Sequence, residues 1–280
     1  MSTPKPIAIL TGAKALALTG VTLLILAACG PRNADGDALG QGSGTSGDNA
    51  TVDVFVAASF NNVVQEIADD FTAENPGVTI RLSPAGSADL SARILAGAPA
   101  DILITADEGS MTRFLDDRAE QDPQVEDLIP TPLASNTLAL VVPKDNPAGI
   151  ASIEDLNRSG IRLVICAPRV PCGDAAARLA EELNLAWSPV SEEGSVTDVL
   201  GKVTSGEADA GIVYATDVKA ALANDSAALT EIAIPHVPES DTRSVVVQLT
   251  DNTAAQEFTD WLTGPRGLER LQEAGFGAPE

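Results

Sequence analysis

The sequence predicts an α/β protein of two similar lobes, each a three-layer sandwich of helices and sheet, with a cleft between the lobes. Short apolar runs alternate with segments of helical period between residues 52 and 105, the β-α-β-α-β order of a parallel, right-handed arrangement. The same order resumes at Leu138, after the proline-rich break Ile129-Pro-Thr-Pro132. A chain of 280 residues that is 44% hydrophobic can bury the core of one large or two medium domains.

The first region opens with the apolar strand Val52 to Ala57, which runs into Ala58-Ser59. A helix follows with Val63, Ile67 and Phe71 at i, i+4 and i+8, closed by Asn75-Pro-Gly77. Val78 to Leu82 alternates as a strand does. The run Ser83-Pro-Ala-Gly-Ser87 then opens a helix carrying Leu90, Ile94 and Leu95, and Gly97-Ala-Pro99 stops it before the strand Asp101 to Thr105. The second region holds strands at Leu138 to Val142 and Ile161 to Ile165, a helix over 174–183 and a strand-like Ser188 to Val190. Glu193-Gly-Ser195 opens a helix with Val196, Val199, Leu200 and Val203, and the next strand ends at Tyr214. A strand from Val245 to Leu249 precedes one C-terminal helix with Phe258, Leu262 and Leu268.

The N-terminus reads as a targeting segment over residues 1–28. Lys5 and Lys14 give it a positive start, and Ala15 to Ala28 is apolar apart from Thr19, Gly20 and Thr22. Leu26-Ala-Ala-Cys29 looks like a bacterial lipobox, with the Cys29 thiol as the site of lipidation; an ordinary signal peptide or an uncleaved anchor is the alternative. Two acyl chains hold a protein stably at a membrane, and residues 29–50 would then form a flexible tether outside the cell membrane. With Cys29 so used, Cys166 and Cys172 remain as an even pair in an oxidising compartment, either bonded or as two thiols. No metal or other resident cofactor is expected, because His236 is the only histidine and no further cysteine is available for zinc.

The net charge of −23 is spread along the chain and argues against nucleic acid, which demands clustered Lys and Arg. A small anion is another matter. Cys166-Ala-Pro-Arg-Val-Pro-Cys-Gly173 turns from a strand into a helix, and a helix start presents unpaired amides together with the positive end of the dipole. Comparable turns stand at Ser59, at Ser87 and at Ser195-Val196, all at carboxyl ends of strands, where open α/β sheets bind ligands. Each serine taken alone is better explained as a plain helix cap.

Phe55-Val-Ala-Ala-Ser-Phe60, Gly86-Ser-Ala-Asp-Leu90, Gly97-Ala-Pro-Ala-Asp101, Ile104-Thr-Ala-Asp107, Val170-Pro-Cys-Gly173 and Gly211-Ile-Val-Tyr214 occur in this order. Together they closely resemble the molybdate-binding proteins of bacterial ABC importers, over essentially all of residues 51–280. The resemblance implies a two-lobed type II periplasmic-binding-protein fold with its ligand in the interlobe cleft. Lobe 1 would comprise 51–136 and 250–280 and lobe 2 would comprise 137–249, with crossings near Asn136 and Thr250. It further implies that an oxyanion is bound by hydroxyl and amide donors of Ser59 and Ser87, by backbone amides of Cys172 and Val196, and by the Tyr214 phenol. Position 172 departs from many relatives, where alanine is common; a backbone contact tolerates that change.

Molybdate and tungstate are fully deprotonated near neutral pH, so a cage of neutral donors suits them and rejects a protonated phosphate that needs an acceptor. The function expected is therefore capture of molybdate or tungstate by a monomeric, lipid-anchored, non-enzymatic protein that delivers it to the permease and ATPase of an importer. Two rivals remain: a binder of another oxyanion such as sulfate or phosphate, and an extracellular hydrolase. The hydrolase lacks support, since His236 sits in the loop-like Pro235-His-Val-Pro238 and no Gly-x-Ser-x-Gly elbow surrounds Ser59 or Ser87.

Overall fold

A computed structural model describes residues 50–123, 128–223, 228–238 and 241–279. The expected targeting segment over 1–28, the expected lipidation site Cys29 and the expected tether up to residue 49 lie outside the described residues. Ala50, expected in the tether, already belongs to the first strand.

The first sheet is built from β1 (Ala50–Ala57), β2 (Val78–Ala85), β3 (Ile102–Thr105), β4 (Thr131–Asn136) and β10 (Thr242–Gln248), in the order β2-β1-β3-β10-β4. β1 pairs parallel with β2 and β3, as the β-α-β-α-β reading requires, whereas β10 runs antiparallel between β3 and β4. Both faces of β1 are buried, which is why its residues are apolar beyond simple alternation. Val52, Val54 and Val56 pack under α1 (Asn61–Glu74), α7 (Thr253–Thr263) and α8 (Pro265–Ala274). Phe55 and Leu103 face the other way, toward Leu90 of α2 (Ser87–Leu95) and Met111 and Phe114 of α3 (Glu108–Gln121). This is the expected three-layer arrangement.

The second sheet contains β5 (Leu138–Pro143), β6 (Leu163–Cys166), β7 (Ser191–Glu193), β8 (Ala210–Tyr214) and β9 (Leu229–Ile232), ordered β7-β6-β8-β5-β9. It is flanked by α4 (Pro171–Glu182), α5 (Val196–Thr204) and α6 (Ala215–Ala223). The strand expected at Ser188 to Val190 forms slightly later, as β7.

The chain passes between the sheets at Thr137 and again between β9 and β10. The second crossing therefore precedes the strand at 245–249 rather than following it near Thr250. The reason is tertiary: Val245, Val246 and Val247 lie in register with Thr105, Ile104 and Leu103, which buries them in the first lobe. The expected single C-terminal helix is likewise two, α7 and α8, broken at Gly264-Pro265 where proline starts the new helix.

Candidate functional site

Between the two sheets lies a small chamber, about 20 Å³ measured as room for the centre of a water-sized sphere. That exceeds the about 10–15 Å³ a single water requires and suits one compact ion rather than an organic molecule. Ser59, Ser87, Cys172, Val196 and Tyr214, the five residues singled out from the sequence, all line it. Its wall is completed by backbone and apolar groups, among them Gly86, Ala106 and Val170, with no Lys, Arg, Asp or Glu among the described lining residues.

The serines are not mere helix caps. Ser59 lies inside a single 3-10 turn, Ala58–Phe60, and α1 starts only at Asn61; Ser87 is the first residue of α2, behind Gly86 as N-cap. Neither turn has a side-chain cap bond, so both hydroxyls are spared for another use. Ser87 Oγ accepts a bond of 3.1 Å from the Ala106 amide, which occupies its lone pair and leaves its hydrogen to be given away. Ser59 Oγ is buried with no hydrogen-bond partner in the protein. Ser195, in contrast, does cap: it is the N-cap of α5, accepting from the Asp198 amide at 3.3 Å while its own hydrogen goes to Asp198 Oδ2 at 2.8 Å.

Cys172 and Val196 line the chamber from helix starts. Each stands in the first turn of its helix, α4 or α5, where amide hydrogens have no intrahelical partner. The turn before α4 is held by a disulfide between Cys166 at the end of β6 and Cys172, with Cα atoms 5.6 Å apart. Its packing leaves no space beside Gly173, where a Cβ would stand 2.1 Å from the Ala167 carbonyl oxygen.

Tyr214 ends β8, and its ring is buried. The hydroxyl has no hydrogen-bond partner of good geometry, and Thr242 of β10 is a polar neighbour whose pull on the phenol is outweighed by burial. Burial, and secondarily the charge of nearby Asp107, pushes the phenol well above its ordinary pKa, so Tyr214 stays a neutral donor. Its amide donates to Asp217 Oδ2 at 3.1 Å, and burial raises that carboxyl to about 7 against the pull of this bond.

Outside the chamber, a groove of about 730 Å³ continues between the lobes and shares Ala58, Ser59, Gly86 and Ser195 with it. Glu66, Asp89, Asp198 and Asp217 line this outer groove together with Lys219 and Arg270. No group of three or more His, Cys, Asp and Glu placed to hold a metal ion occurs among the described residues. His236 pairs with Asp241 at 3.0 Å on the exposed segment between β9 and β10 and does not line the chamber. No helix of the described residues is long and apolar enough to cross a membrane.

The sequence reading missed Gly86, Ala106 and Val170 as parts of the chamber, although each belongs to a run already noted. None of them carries a hydrogen-bonding side chain to announce it.

A family model described as "Bacterial extracellular solute-binding protein" matches residues 52–277. The chain is 34% identical over 260 residues to a molybdate-binding protein ModA of Mycobacterium tuberculosis, covering 91% of this chain and 93% of that one. It is 32% identical over 244 residues to the molybdate-binding protein ModA of Escherichia coli, covering 82% and 90%. Among solved structures, the periplasmic molybdate-binding protein of Azotobacter vinelandii superposes with a TM-score of 0.65 at 21% identity, over 82% of this chain and 100% of that one.

Proposed function

Since the chain belongs to the bacterial extracellular solute-binding proteins, and is thus a binder and not an enzyme, we propose that it captures molybdate or tungstate in the chamber between its lobes. The observation that carries this is a pair of buried hydroxyls without hydrogen-bond partners, on Ser59 of one lobe and Tyr214 of the other, two residues that line one chamber. A buried hydroxyl left unpaired costs about 1–3 kcal/mol, so two of them converging mark a place built to give hydrogen bonds to a ligand.

The donor set reads as follows. Ser59 and Ser87 give hydroxyl and amide hydrogens, Cys172 and Val196 give amides, and Tyr214 gives its phenol hydrogen. All are neutral, and the charge of a dianion is spread over oriented dipoles at four helix or turn starts. With no acceptor carboxylate in the wall, a hydrogen-bearing phosphate would bury an unsatisfied donor. The identity of the M. tuberculosis and E. coli relatives as molybdate binders favours that ion over sulfate. The same reading has lipidation at Cys29 anchor the protein by its tether, and has the loaded protein, a monomer, meet the permease of an ABC importer, as the lipobox-like Leu26-Ala-Ala-Cys29 and the family resemblance imply.

A thermal-shift series with molybdate, tungstate, sulfate and phosphate tests the reading. Molybdate and tungstate should raise the melting midpoint at micromolar concentration, following RT ln(1 + [L]/Kd), and sulfate only far above it. Equal shifts from sulfate and molybdate at micromolar ligand would refute the selectivity.

A further inference from the structure

We propose that Lys219 is a latch that keeps the lobes closed on the bound oxyanion and so sets the rate of its release. The inference rests on the binding function proposed above. Lys219 sits on α6 in the second lobe, and its Nζ donates at 2.6 Å to the carbonyl oxygen of Glu273, in the last turn of α8 in the first lobe.

That carbonyl is a specific target. A helix end leaves its final carbonyls without intrahelical partners. At the end of α8, the Gly275 amide takes the Gln272 carbonyl and the Phe276 amide takes that of Leu271, in the manner of a left-handed glycine cap. Glu273 supplies the next carbonyl, and the ammonium from the other lobe meets it at the negative end of the helix dipole. Gly275, at φ +103°, is also the seat for the lysine stem, because a Cβ there would lie 3.0 Å from Lys219 Cδ. The neighbouring charges are engaged within the first lobe: Arg270 binds both Asp70 and the Glu273 carboxylate.

The position couples the latch to the chamber. α6 starts directly after Tyr214, so Lys219 stands little more than one turn from the phenol that faces the chamber. A hinge movement that brings Tyr214 onto an anion brings Lys219 onto α8, and opening parts them together.

The test compares the full chain with Lys219→Met, which keeps the stem and loses the donor, and Lys219→Arg, which restores a cationic donor. Molybdate release is followed after a chase with excess tungstate, alongside association and the ligand-free melting midpoint. Lys219→Met should release molybdate about five- to twentyfold faster, with association within about twofold of wild type. Its ligand-free midpoint should fall less than its molybdate-loaded one, and Lys219→Arg should recover most of the slow release. An unchanged release rate in Lys219→Met overturns the latch, and so does a ligand-free midpoint that falls as far as the loaded one. If the wild type binds no oxyanion, the function above fails, and the latch is judged by interlobe spin-label distances in the ligand-free protein. A wider distribution in Lys219→Met then supports it, and an identical one overturns it.

Discussion

Gly86 and Gly194 meet backbone to backbone across the interlobe cleft: a Cβ placed on Gly86 would stand 2.0 Å from the Gly194 carbonyl oxygen. Gly86 caps α2, whose first residue is Ser87, and Gly194 immediately precedes the Ser195 cap of α5. The two helix starts that line the chamber from opposite lobes are thus brought together at a contact that admits no side chain. Close packing turns a single methyl there into displacement of one lobe against the other.

Gly86→Ala should therefore spare the folding of each lobe and prevent full closure. Calorimetric titration should show molybdate affinity lower by at least about tenfold, or about 1.4 kcal/mol, with the ligand-free midpoint nearly unchanged. Wild-type affinity in this variant would mean that the lobes do not need this contact to bind.

The Cys166–Cys172 bond spans a sequence separation of 6. A loop that short is worth about 2 kcal/mol by the chain-entropy model. For a folded body of this size, the paired Cys166→Ser, Cys172→Ser variant should melt about 4–8 °C lower in a calorimetric scan. It should also bind molybdate more weakly, because the turn that aims the Cys172 amide loses its tie to β6.

Asp217 gives a pH dependence with a definite sign. Burial raises its carboxyl from 3.8 to about 7 in the folded protein. The folded state then holds the proton more tightly than the unfolded chain. Its contribution to stability is full below about pH 4 and is lost as pH rises through about 7. Asp217→Asn keeps an acceptor for the Tyr214 amide and removes the titration. In melts from pH 4 to 8, the variant should gain on the wild type steadily as pH rises and level off above 7; parallel curves would show that Asp217 titrates normally.

How much of this was legible in advance depended on the range of the interactions involved. β1, α1, β2, α2 and β3 could be read because Val63, Ile67 and Phe71, or Leu90 and Ile94, repeat with a period that local geometry imposes. α3 could not, since Met111 and Phe114 are its large buried apolar residues in an otherwise acidic and basic run, and its start depends on Asp107 accepting from the Ser110 amide. β4 was hidden by Pro130 and Pro132, which read as a break. β10 was visible as a strand, but its place beside β3 is a pairing across more than a hundred residues that periodicity does not encode. The turns at Ser59, Ser87, Cys172 and Ser195-Val196 could be read as helix starts at strand ends, whereas Tyr214 and the choice of ligand atoms came from the resemblance. That Ser59 and Ser87 do not spend their hydroxyls on caps, and that Gly86 touches Gly194, are facts of lobe docking and needed coordinates.

Tyr214 carries the sharpest expectation, because its two effects have opposite signs. In the ligand-free protein its buried hydroxyl lacks a partner, and removing an unpaired buried hydroxyl removes a desolvation cost. Tyr214→Phe should thus melt at or slightly above the wild-type temperature without ligand. With ligand the same change deletes a hydrogen bond to a charged group, worth about 1.5–3 kcal/mol. Molybdate affinity should fall about ten- to a hundredfold, so the molybdate-induced rise in midpoint shrinks while the baseline does not. Calorimetry and paired melts on both proteins separate the two effects. Unchanged affinity would place the phenol outside the ligand's reach, and a destabilised ligand-free protein would mean that Thr242 already satisfies it.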